Sequence, residues 1–108
     1  MIPTGIQGSA DVEIPSARTI TGWTVAGQKA ETGAIVVDVW SDTYANYPPT
    51  VADTIAGSQK PTITATAAKG QNLSITPWSL TAGNTLRFNV DSVTTFTAVT
   101  LTFRGTIP

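Results

Sequence analysis

The sequence predicts an all-β protein: an antiparallel β-sandwich of seven to eight short strands in two sheets. Three observations carry this. Apolar and polar residues alternate with period two in run after run, Gly, Pro and Asn recur between the runs, and no stretch shows the 3.6-residue period of an amphipathic helix. Threonine makes up roughly a fifth of the chain, and with Val and Ile it gives a β-branched bias that suits strands. An even count split into two four-stranded sheets makes a jelly roll the preferred wiring.

The stretch Gly33–Pro49 organises the rest. Ile35, Val37 and Val39 fall on one face of a buried strand, and Val36, Asp38 and Trp40 on the other. Beyond Trp40 the alternation gives way to a loop of Asp, Asn and Tyr closed by Pro48-Pro49, neither of which can donate to a sheet.

The other elements follow in chain order. Met1–Gly8, with Pro3 and two glycines, reads as an extended arm, disordered or held by a neighbour. Ala10–Ile14 is a short strand with Val12 and Ile14 inward and Asp11 and Glu13 outward, stopped by Pro15. Arg18–Ala26 is a second strand in which Ile20 and Trp23 have opposite parities, so a bulge is expected at Gly22. Residues 27–32 form a polar turn. At Thr50 either a helical turn, capped by Thr50 with Asp53 closing the box, or an irregular loop is expected. Thr62–Ala67 alternates cleanly, with Ile63, Ala65 and Ala67 on one face. Lys69–Gln71 reads as a turn and Asn72–Ile75 as a short strand with Leu73 and Ile75 inward. Ala82-Gly83-Asn84 signals a tight turn. Thr85–Asp91 sets Leu86, Phe88 and Val90 against Arg87, Asn89 and Asp91. In Phe96–Arg104, Val99, Leu101 and Phe103 point inward, and the wrong parity of Phe96 predicts a bulge near Thr97–Ala98. The whole is one domain, residues 10–108, preceded by an arm at 1–9.

Composition narrows the chemistry. Six basic and seven acidic residues give a net charge of −1, and only 12% of the chain is charged, about half the usual share. The basic residues form no cluster, so nucleic acid is not an expected partner. With no His and no Cys, the chain lacks the commonest general base, the commonest zinc ligands, thiol nucleophiles and disulfides. No basic region precedes an apolar run and no apolar stretch approaches spanning length. The expectation is a soluble chain with no export signal and no membrane partner.

Seven carboxylates remain as acid–base groups, and nothing in their spacing sets two of them across a cleft, so no catalytic residue and no cofactor are assigned. Asp38 and Asp91 are expected to satisfy buried backbone or to pair with Arg87 or Arg104. Asp42, Asn46 and Asp53 are weak calcium candidates, since their spacing matches no cation loop; capping of turns by Asp42 and Asn46 explains them as well. Among the aromatics, Trp23 and Trp40 suit the rim of the core or a subunit boundary. Tyr44, Asn46, Tyr47 and Trp78 are the candidates for contact with a ligand, because flat rings stack on sugars.

The runs ITGWTVAG, GAIVVDVWSDTYANYPPTVADTIAGSQKPTI and TLRFNVDSVTTFTAVTLTFRG, spanning Val12 to Gly105, resemble a small jelly-roll domain of tailed-bacteriophage virion proteins. Val37–Trp40 with Thr43–Pro49, and Phe88–Ser92, carry the likeness best. The resemblance implies a non-enzymatic homotrimer, made in the host cytoplasm and located in the virion. A first strand within ten residues of Met1, with no stalk before it, suits a capsid decoration (cement) protein. Its arm, through Ile2, Pro3 and Ile6, would then grip the major capsid protein or a neighbouring subunit. The alternative is the tip of a tail or head fibre that binds a host receptor or surface carbohydrate.

Overall fold

A computed structural model describes residues 1–29 and 31–107; Ala30, inside the expected 27–32 turn, Pro108, and the side chain of Ser9 lie outside the described residues. Among the described residues nine strands are present: β1 (Gly5–Ile6), β2 (Val12–Glu13), β3 (Arg18–Gly27), β4 (Gly33–Asp42), β5 (Thr62–Ala67), β6 (Lys69–Asn72), β7 (Trp78–Leu80), β8 (Thr85–Thr94) and β9 (Val99–Thr106). They form two antiparallel sheets. In the first, β8 lies between β4 and the short strands β1 and β2, which follow one another along its far edge, and β5 flanks β4. In the second, β3 is central, with β9 on one side and β6 and β7 end to end on the other. The sandwich is as expected, with nine strands instead of seven or eight. This order of strands does not establish the interlocked Greek keys of a jelly roll.

Period-two alternation builds the core. Ile35, Val37 and Val39 of β4, Ile63 of β5 and Leu86 and Val90 of β8 face Ile20 and Val25 of β3 and Trp78 and Leu80 of β7, all buried. Each such side chain contributes about 1.5–3 kcal/mol by leaving water. The other face of β4 is buried too. The chain after Thr43 returns along the β4 edge: Thr54 bridges Trp40, and the Ile55 N–H donates to Val39 O at 2.9 Å. Pro61 O then accepts from the Val37 N–H at 2.9 Å. Asp38 and Trp40 are thereby enclosed.

The expected register break in β3 is present. Ile20 pairs with Gly105 and Gly22 with Arg104, so Thr21 is the extra residue and Ile20, Trp23 and Val25 all reach the core. The bulge expected near Thr97–Ala98 is absent. The shift lies in β8, where Val36 pairs with Ser92 but Val37 with Val90, leaving Asp91 unopposed and turning Val93 back toward the core. Phe96 needs no bulge because it is not in a strand. It enters the core, fully buried, from the β8–β9 connection, where Thr95 takes a positive φ of 74°.

Two further expectations are corrected. Lys69–Gln71 belongs to a strand that ends at Asn72, and no separate strand follows to Ile75: Leu73 is half exposed, and Ile75 reaches the core from a loop. β6 is an edge strand placed by backbone pairing to β3, so its residues show no apolar alternation. Only Ala68 separates β5 in one sheet from β6 in the other. That corner brings the sheets so close that a Cβ on Gly70 would stand 2.0 Å from Thr62 O.

Candidate functional site

The loop from Thr43 to Pro49 leaves the end of β4 as a single 3-10 turn, Tyr44–Asn46. Asp42 holds it: its Oδ1 accepts from the Thr43 N–H at 2.7 Å and from the Asn46 side-chain amide at 3.3 Å. Thr43 Oγ1 in turn accepts from the Asn46 N–H at 3.3 Å. These are the local side-chain-to-backbone bonds that favour Asp, Thr and Asn in turns. They hold the Asp42 carboxyl below its ordinary range, the Thr43 N–H contributing most, then Asn46, with a smaller effect from Asp53 nearby. Asp53 closes a second 3-10 turn, Val51–Asp53, its Oδ2 accepting from the Thr50 N–H at 2.8 Å, so of the two alternatives at Thr50 the capped turn is the one formed. All three calcium candidates, Asp42, Asn46 and Asp53, thus serve turns, and among the described residues no three His, Cys, Asp or Glu side chains converge as a cation site would need.

The loop's two tyrosines have different environments. The Tyr47 hydroxyl donates to Asp11 Oδ2 at 3.2 Å and accepts from Arg87 Nη2 at 3.0 Å. The Arg87 guanidinium also lies 5.3 Å from the centre of the Tyr47 ring. Arg87 grips Asp11 in a fork, Nη2 to Oδ2 at 2.6 Å and Nε to Oδ1 at 3.1 Å, with both side chains mostly shielded from water. Tyr47 is therefore a brace. Tyr44 contacts nothing comparable and is 87% exposed. A rigid loop holding one free aromatic ring can stack on a flat apolar surface, a sugar face included.

The remaining candidates are scattered. Trp78 is only 4% exposed, packed edge-on against Phe103 at 5.8 Å between ring centres, so it presents no face to a ligand. Among the described residues its indole N–H has no partner. The expected free arm is laid along the chain's own sheet: β1 pairs with β8, and the Ile2 N–H donates to Phe96 O at 2.8 Å. Ile2 packs against the core, leaving Pro3 and Ile6 exposed. Lys60, not Arg87 or Arg104, pairs the strand carboxylates, at 2.7 Å from Asp91 and 3.6 Å from Asp38. The bond to Asp91 is the main cause that raises the Lys60 pKa.

Sequence parity placed Asp11 and Arg87 on outward faces, but nothing in the spacing marks a pair 76 residues apart. The Arg87 hydrogen bonds hold the Asp11 carboxyl below its usual value, aided by Tyr47 and opposed by burial. Stability from this pair is therefore fully present above the unfolded carboxylate pKa of about 3.9, and it is lost as pH falls through the lower folded value. Asp11→Asn should remove that component of acid sensitivity. Urea midpoints measured from pH 6 down to pH 2.5 should converge for wild type and variant at the acid end; parallel curves would show that the fork does not couple to folding.

No helix of the described chain is long and apolar enough to cross a membrane. Comparison with family models, curated proteins and solved structures finds no match for the chain.

Proposed function

We propose that the chain is a non-enzymatic structural protein of a tailed-phage virion, a homotrimeric sandwich displayed on the particle surface. It uses no catalytic residue, metal or cofactor. Of the two positions on a particle, the geometry favours the receptor- or glycan-binding tip, and one observation carries that choice: the free Tyr44 ring stands on a loop braced through Tyr47, Arg87 and Asp11. Bracing lowers the entropy cost of contact, which is what a small adhesive site needs. Three copies multiply a weak contact by avidity. The reading requires only the sandwich, not jelly-roll wiring.

Capsid decoration is the second reading. Its arm cannot swing out as a free tether while β1 stays paired to β8. The apolar residues exposed along that edge, Met1 and Ile6, nevertheless offer a surface to a coat protein.

Co-sedimentation of the purified chain with host cells and with empty phage shells separates the two. Binding to cells that falls at least about tenfold in Tyr44→Ala is the expected result. Cell binding that survives Tyr44→Ala would remove the loop from the site, and binding to shells alone would establish decoration.

A further inference from the structure

We propose that the open side of the sandwich is the seam at which copies of this chain meet, with β9 of one copy beside the β1–β2 edge of the next. The inference rests on the trimeric reading above and assigns it a surface.

The sandwich is asymmetric. On one side β5 passes directly into β6 at Ala68, and the sheets touch at Gly70. On the other side the chain passes between the sheets at the two ends, through residues 14–17 and 95–98, and between these crossings runs a cleft of about 530 Å³. Its walls are inner-face side chains: Leu86, Phe88 and Val90 of β8 opposite Val99, Leu101 and Phe103 of β9. Phe88 and Phe103 stack across it at 6.3 Å. The three β9 side chains are only partly buried, although β9 alternates as cleanly as any strand of the core.

The two lips of the cleft are unlike. Among the described residues β9 pairs with β3 alone, so one edge of an eight-residue strand stays free. That strand has no Pro, Lys or internal bulge, the usual devices that blunt a free edge. The opposite lip is made of two-residue strands separated by the turn Gly8–Ala10. Val12 there is 49% exposed.

Charge identifies the occupant. β9 carries a single charge, Arg104, and β2 a single charge, Glu13; both are exposed on outer faces. Neither makes an ion pair among the described residues. Both sit at the same end of the cleft, where Glu13 and Gly105 line one mouth together with Arg18, which makes no ion pair to Glu13. Rotation about an axis parallel to the strands keeps every residue at its height. Such a ring brings Arg104 of each copy level with Glu13 of the next and turns the apolar clefts toward the axis. A two-fold across the cleft would reverse the heights and carry Arg104 to the Ile2 and Ala98 end, where the Glu31 carboxylate is already engaged by the Thr97 N–H and hydroxyl. Both halves of the complementary pair lie in this chain, so the partner is another copy. Low overall charge leaves little repulsion to oppose it.

Sedimentation of the full chain and of charge reversals tests this. Wild type should sediment as a trimer, and Glu13→Arg or Arg104→Glu alone should raise the concentration for half-assembly at least about tenfold, since like charges then oppose at every seam. The double variant Glu13→Arg/Arg104→Glu should restore assembly, and unchanged far-UV circular dichroism will report intact folding at these exposed positions. Single reversals that assemble like wild type would overturn the seam while leaving the trimer in place. A double variant that stays dissociated would overturn the pairing of these two residues. A wild type that is monomeric throughout would overturn both the seam and the trimer, whatever the cell-binding result.

Discussion

Asp38→Ala should destabilise the fold by about 3–5 kcal/mol, the range for removing one partner of a buried charged network. Asp38 is 2% exposed on the outer face of β4. Its Oδ1 accepts from the Val39 N–H at 2.8 Å and the Thr54 hydroxyl at 2.6 Å, and its Oδ2 from the Trp40 indole at 3.0 Å. Alanine would strand three donors and leave Lys60 with Asp91 alone. Asp38→Asn keeps an acceptor and should fall between alanine and wild type. Urea denaturation with an unchanged m-value is the appropriate measurement. A loss below about 1 kcal/mol for alanine would mean that these donors find water or other partners.

Phe96→Ala should cost about 3–5 kcal/mol, the usual price of emptying a buried aromatic site. The ring is fully buried and lies against the β3 end, where a Cβ on Gly27 would come within 2.8 Å of Phe96 Cε1. The Phe96 O also accepts from the Ile2 N–H, so the variant should loosen the first residues as well. Hydrogen exchange at the Ile2 and Gln7 amides would follow that coupling. Full protection there in Phe96→Ala would show that the residue-96 carbonyl and β8 hold the N-terminal segment without help from the ring.

The long strands were legible because burial on one face imposes period two, and β4, β5, β8 and β9 all carry it on at least one face. The bulge beside Gly22 was legible for the same reason, since two apolar residues of opposite parity cannot both face inward without an extra residue. Phe96 misled because its parity was assumed to belong to a strand, whereas a turn at Thr95 delivers it. β6 was missed because an edge strand held by backbone bonds needs no apolar signature. In the loop, the capping roles of Asp42 and Asp53 are local and could be read from a few neighbouring residues. The division of labour between Tyr44 and Tyr47 could not, because it depends on Arg87 and Asp11, which meet only after β2 and β8 pair. Trp78 was equally opaque: three residues of strand are too few to show which way an indole faces.

The central strands β3 and β4 find their longest partners, β9 and β8, in the final quarter of the sequence. Contacts so distant along the chain make closure slow, since most of the backbone must be ordered before they form. A ribosome emitting this polypeptide from its amino end would hold both centres unsatisfied until residues 85–106 have been made, with the β4–β5, β3–β6 and β3–β7 contacts available earlier. Nascent copies would pass through that vulnerable interval with sticky aliphatic ribbons uncovered, and synthesis cut short before residue 99 would yield an aggregating fragment rather than a smaller working one.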